Sequence, residues 1–202
     1  INSIDKTVRA VFIANPNQPT GTVLKKKEID QVINITRKSN SLLVIDEAYI
    51  QFGNCNSLKK YAQKFSHVIV IQTFSKAFGL ASVRLGYIIT HPNNIQWLYK
   101  VKSYADINLL AIKFGEFLLD NYYLVEEYVN QIKISKNLIE LELNSIGLEV
   151  IKGHANFIHI RFIFMMNNSN INVLISIYIG IPYYFLRYFA RLSNYFSFYL
   201  CS

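Results

Sequence analysis

HVIVIQTFSKAFGLASVRLGYIIT, residues 67–90, places two apolar runs on either side of a loop that carries one lysine and one arginine. The first run, HVIVIQT (67–73), and the second, RLGYIIT (84–90), are short and lack polar alternation. Runs of this kind read as strands with both faces covered. Lys76 stands where the first strand should end, and Arg84 follows among small and apolar neighbours. A lone lysine at a strand end is ordinarily a solvated one, since lysine is among the least buried residues. The other reading is a covalent attachment point with an anion clamp beyond it. The rest of the chain decides between them.

Working outward, VRAVFIANP (8–16) reads as a buried strand running into a proline turn, and NQPTGTVL (17–24) as loop. Ile29, Val32, Ile33 and Ile35 give Lys25–Lys38 the spacing of a helix with one buried face. SLLVID (41–46) is another apolar strand, ending on paired acids, and SLKKYAQKF (57–65) a short helix. Strands separated by helices predict an α/β fold with a parallel or mixed sheet covered on both faces. After Pro92 the pattern turns helical, with Trp97, Tyr99, Phe114 and Phe117 expected as core or helix-packing residues. LEVIKGHANFIHIRF (148–162) alternates like a half-buried hairpin. The expected organisation is a large-domain portion over 1–100, connecting helices over 101–145, and a smaller α+β piece over 146–202 with an atypical tail.

Composition narrows the function. Of 202 residues, 51% are hydrophobic and 17% charged, which suits a packed core rather than a disordered chain. The net charge of +8 is uneven, because residues 150–202 contain no acid. The one dense basic cluster, Lys25–Lys27, opens a helix and reads as a solvated face, so no nucleic-acid partner is expected. Cys55 and Cys201 have neither metal-ligand nor redox spacing, and His154 and His159 fall on opposite strand faces, so no metal site is expected. His67 and His91 flank strands and read as structural. INVLISIYIGIPYYFL (171–186) contains Pro182 and is shorter than the roughly 20 residues a spanning helix needs, so no membrane anchor is expected. A cytoplasmic protein is the expectation.

Ligands of open α/β sheets gather beyond the carboxyl ends of the strands. Those ends carry Asn15–Pro16–Asn17, Asp46–Glu47–Ala48–Tyr49 and Thr73–Phe74–Ser75–Lys76. An amide, an acid with a phenol, and a lysine would thus meet in one crevice. The combination suits pyridoxal phosphate, which needs an amine for its aldehyde, an anion at its ring nitrogen, and donors for its phenolic oxygen and phosphate.

NPNQPTGT (15–22), LLVIDEAYIQF (42–52) and TFSKAFGLASVRLGY (73–87) resemble, in order and spacing, the signature segments of the histidinol-phosphate aminotransferase family. The likeness runs from about residue 8 to residue 162. It implies a partial large domain of a fold-type I pyridoxal-phosphate-dependent transferase, a three-layer fold around a mostly parallel sheet. By that resemblance Lys76 forms the Schiff base and moves the α-proton. Asp46 pairs with the pyridinium nitrogen, and Asn17 and Tyr49 bond the phenolic oxygen. Thr73, Ser75 and Arg84 bind the phosphate. ANFIHIRF (155–162) places Asn156 near cofactor or substrate, and Arg187 matches a substrate-binding arginine of the family's last hairpin. The implied reaction moves an amino group between a phosphorylated amino substrate and 2-oxoglutarate, in a homodimer.

The chain also departs from the family. It begins where the large domain should be half built, so a fragment is expected. Ser197 stands where a second arginine is expected, and LCS replaces a glycine-containing ending. YADIN (104–108) replaces a Pro-Tyr-Asn pattern. Two other functions therefore stand beside the first: a phosphothreonine-type decarboxylase using the same cofactor, and a non-catalytic remnant.

Overall fold

The structure, a computed structural model, describes residues 3–102, 107–166 and 169–178. It divides into two compact units, Ile1–Glu127 with Gly153–Ala155, and Tyr128–Lys152 with Asn156–Ser202.

The first unit is built on a four-stranded sheet in the order β1 (Ala10–Ala14), β2 (Leu42–Asp46), β3 (Val68–Thr73), β4 (Gly86–Thr90). The first three strands are parallel and β4 returns antiparallel to β3, so the sheet is mixed. Helices α1 (Lys26–Ser39) and α2 (Lys59–Lys64) make the crossovers. The α1 helix starts where the Glu28 carboxylate accepts the Lys25 N–H at 2.6 Å. It stops at Asn40, whose left-handed backbone (φ 57°) is a common helix ending, with Arg37 and Lys38 complementing the dipole.

One sheet face is a core. Leu43, Ile45, Val68 and Val70 pack with Val32 and Ile33 of α1 and with Leu58 and Ala62 at α2. Burying each of the larger side chains stabilises the fold by about 1.5–3 kcal/mol. On the opposite face the expected cover is present only in part: Val44 is 7% exposed, while Phe12, Leu42 and Ile88 are 75%, 43% and 47% exposed. Both crossover helices lie on the core side, and on the second face Ile95, Leu98 and Tyr99 stand beside Ile88.

Helices α3 (Ile95–Val101) and α4 (Leu109–Asp120) follow. Here Trp97, Tyr99, Phe114 and Phe117, expected in the core or between helices, are 59%, 71%, 50% and 54% exposed, so the core reading does not hold. No residue of α3 is buried, and α4 buries its small residues, Ala111 and Gly115. A Cβ at Gly115 would lie 2.7 Å from Leu85 Cδ2 and 3.6 Å from Phe74 Cε1, so the contact has no room for a large side chain. Trp97 is instead capped by the Lys100 ammonium, 4.2 Å from its ring centroid.

Helix α5 (Tyr122–Ser145) buries Val125, Val129, Ile132 and Ser135, a helical stripe. In the second unit β5 (Glu149–Ile151), β6 (Phe157–Met166) and β7 (Ser169–Tyr178) form an antiparallel sheet in chain order, which extends the hairpin read from the sequence. Phe157, Ile158 and Ile160 are buried there. His159 Nδ1 meets Ser176 Oγ at 2.8 Å, a structural bond. Residues 171–178 of the long apolar run lie in this strand pair. Among the described residues, no helix is long and apolar enough to cross a membrane.

Candidate active site

Register fixes where three loops leave the sheet. Ala14 pairs with Asp46, and Asp46 with Ile71. The ladder then extends one step past the strand ends, with Asn15 N–H donating to Asp46 O at 2.8 Å and Glu47 N–H to Ile71 O at 2.9 Å. The carboxyl ends of β1, β2 and β3 therefore share one sheet edge, where ligands of such sheets gather.

The first loop is held closed. Asn15 is 2% exposed, and its Oδ1 accepts the Leu24 N–H at 2.8 Å. Asn17 N–H donates to Thr22 O at 2.8 Å, and Asn17 Nδ2 donates to Thr20 Oγ1 at 2.7 Å. Gly21 O accepts the His154 N–H at 2.7 Å, which ties the loop to a segment distant in sequence.

At the second loop the two adjacent acids separate. Successive strand residues point to opposite faces. Asp46 lies on the open face, exposed, with Oδ1 accepting the Ala48 N–H at 2.9 Å. Glu47 turns to the core face and is 0% exposed. Tyr49 is 3% exposed, and its hydroxyl donates to Gln18 Oε1 at 3.1 Å, which brings the first two loops together.

The third loop folds back on itself. Leu85 O accepts Phe74 N–H at 3.0 Å and Thr73 Oγ1–H at 3.3 Å, and Thr73 Oγ1 accepts the Ser75 N–H at 3.1 Å. Lys76 Nζ lies 5.2 Å from the Tyr49 ring centroid, a cation–π distance. Arg84 is exposed, has a left-handed backbone with φ 54°, and donates from Nη1 to Ala81 O at 3.2 Å.

Lys76, Tyr49 and the Asn17 loop are thus linked through Tyr49 and Gln18, and Thr73 with Ser75 through their own bond. Arg84 adjoins Leu85, the residue that anchors the third loop. Asn156 is half-buried and precedes β6 in the second unit. Arg187 and Ser197 lie outside the described residues, as do residues 104–106 of YADIN. Arg161 of the HIRF segment (159–162), which reads as either a substrate-side cation or an exposed strand residue, is paired with Glu149 at 3.0 Å across β5 and β6. His67 Nε2 donates to Ile33 O at 3.1 Å, and His91 Nδ1 accepts the Asn93 N–H at 3.3 Å, so both flanking histidines have structural partners.

Sequence reasoning missed Gln18, Glu47 and the groups around Glu47. The period of two along β2 was the available signal, since it sends Glu47 to the face opposite Asp46.

The model of the family "Aminotransferase class I and II" matches residues 1–170. A histidinol-phosphate aminotransferase of Brachyspira hyodysenteriae is 38% identical over 165 residues, covering 79% of this chain and 46% of that protein. The solved histidinol-phosphate aminotransferase of Clostridium acetobutylicum is 29% identical, with a TM-score of 0.65 over 77% of this chain and 48% of the other. The Sinorhizobium meliloti enzyme, solved with pyridoxal-5'-phosphate, has a TM-score of 0.70 at 24% identity over 76% of this chain and 42% of its own, a likeness of fold. The chain spans a little under half the length of the curated relatives it matches. On the family match, and with the mixed sheet and its three converging loops, the chain belongs to the class I and II aminotransferases.

Proposed function

We propose that the protein is a pyridoxal-phosphate-dependent aminotransferase of the histidinol-phosphate type, with Lys76 as the attachment lysine. One observation carries this reading: Lys76 Nζ stands 5.2 Å from the Tyr49 ring at the edge where Asp46 leaves the neighbouring strand on the open face.

The residues fit the cofactor by their chemistry. Of the two adjacent acids, Glu47 is enclosed by donors while Asp46 remains accessible, so Asp46 is the carboxylate a ring nitrogen can approach. Tyr49 and Asn17 can donate to a phenolic oxygen once they give up Gln18 and Thr20. Thr73, Ser75 and Arg84 suit a phosphate, which a guanidinium fork recognises better than an ammonium does. A left-handed arginine costs backbone energy, and such outliers concentrate at ligand clamps.

When bound, the cofactor supplies an aldehyde for the substrate amine and a ring that draws electrons from Cα. In this reading Lys76 Nζ would take the Cα proton as general base and return it. Asp46 would hold a proton on the ring nitrogen by its charge. Tyr49, buried against the lysine, limits the positions Nζ can take.

In this reading the donor is a phosphorylated amino compound and the acceptor 2-oxoglutarate, with Asn156 and Arg187 on the substrate side. The intact protein works as a cytoplasmic homodimer on small molecules. Two steps test the proposal. Adding pyridoxal phosphate should produce a visible absorbance band in the wild type that Lys76→Ala lacks, and equal spectra would refute the lysine's role. Histidinol phosphate should then support oxo-acid-dependent amine transfer, whereas CO₂ release from threonine phosphate would point to a decarboxylase.

A further inference from the structure

Glu47 is an acid that the proposed reaction leaves without a task. It is 0% exposed on the helix-covered face of the sheet. Its Oε1 accepts the Leu58 N–H at 2.6 Å, and its Oε2 accepts Ser57 Oγ–H and Gln72 Nε2–H, each at 2.7 Å. Gln72 is 7% exposed, and its Oε1 accepts the Tyr87 hydroxyl. Burial pushes the Tyr87 phenol up, with the Tyr122 and Glu47 charges adding to the effect, so it stays an O–H donor at neutral pH. One carboxylate therefore ties the end of β2 to the entrance of α2, to β3 and, through Gln72, to β4.

A buried charge is tolerated only when hydrogen bonds replace its water, and this one is enclosed by donors. Its place in the chain gives those bonds a second consequence. Asp46 precedes Glu47 by one peptide, and Thr73 follows Gln72 by one peptide. Neighbouring strand residues face opposite ways, so a link between 47 and 72 beneath the sheet sets the spacing of 46 and 73 above it. The third loop continues from Thr73 directly to Lys76.

We propose that Glu47 is a positioning residue: bonded to Gln72, Ser57 and the Leu58 N–H, it sets the geometry in which Asp46 and the Thr73–Lys76 loop meet a ligand. The ligand's identity rests on the pyridoxal-phosphate reading above, and the geometric claim does not.

Glu47→Gln in the full-length protein tests it. Glutamine has the same shape, but its amide NH₂ must face one of the donors, which then loses its acceptor. The exchange variant Glu47→Gln/Gln72→Glu puts the donor and the carboxylate back in swapped places, with residue 72 still accepting from Tyr87.

Without cofactor, amide hydrogen exchange of residues 46–49 and 73–76 should quicken together by about tenfold in Glu47→Gln and recover in the exchange variant. Pyridoxal-phosphate affinity, followed by the visible band, should fall and recover in parallel. If Glu47→Gln does not fold, Gln72→Leu cuts only the link to β3 and β4 and should show the same pattern. A lower Tm with wild-type exchange in both segments and unchanged cofactor affinity would overturn the proposal, leaving Glu47 a packing residue. A wild type with no lysine-dependent band contradicts the cofactor reading instead, and hydrogen exchange still decides the positioning.

Discussion

Arg84 carries the site's clearest conflict between stability and use. A non-glycine residue at φ 54° costs about 1–2 kcal/mol relative to its relaxed backbone, and Arg84 accepts that cost at an exposed position. Arg84→Gly should therefore raise the denaturant midpoint, by about 1 kcal/mol in stability, while weakening pyridoxal-phosphate binding. Lower stability with unchanged cofactor affinity would show that the arginine serves the fold alone. At this scale Lys76, Asp46 and Tyr49 could be picked out in the chain because strand ends are readable from apolar runs. The division of labour between Asp46 and Glu47 was harder to see. Both look alike as a strand-end pair, and only the helices on one face make the second acid a buried one.

At the scale of elements, the strands and the first two helices were legible because their apolar spacing is regular. The burial of α3 and α4 was not. Large aromatic residues at helical spacing suggest a core face, whereas α4 packs through Gly115. Gly115→Ala would bring its Cβ to 2.7 Å from Leu85 Cδ2, the end of a flexible side chain. Overpacking of about 1–3 kcal/mol, offset by about 1 kcal/mol of helix propensity, should leave a net loss of up to about 2 kcal/mol, read as a fall in Tm. An unchanged Tm would mean that Leu85 moves aside freely.

The packing of α1 against β3 also gives a pH dependence. His67 titrates below its ordinary range, chiefly because burial disfavours the imidazolium and further because of Arg37, with its bond to Ile33 O opposing. The unfolded chain thus binds the proton more readily. This contribution to stability is complete above the unfolded value near 6.5 and is lost as pH falls through it toward the lower folded value. Replacing His67 with Gln should flatten the fall in Tm between about pH 7.5 and about pH 5, and an identical slope would contradict the assignment.

For the whole molecule, the family resemblance came from the residues of three signature segments, and the parallel strands explain why those segments meet, since their carboxyl ends share one edge. The open sheet face was not legible. Apolar strands read as covered along their whole length, whereas Val44 is buried on that face and Phe12, Leu42 and Ile88 stand exposed. The central claim is that this shared edge presents one particular lysine, out of many on the surface, to an aldehyde. Borohydride reduction of the protein mixed with pyridoxal phosphate, followed by peptide mapping, tests it most directly. The account predicts the label on the peptide containing Lys76 at one equivalent of cofactor. A label spread over Lys25–Lys27 and other exposed lysines, with Lys76 unmodified, would contradict it.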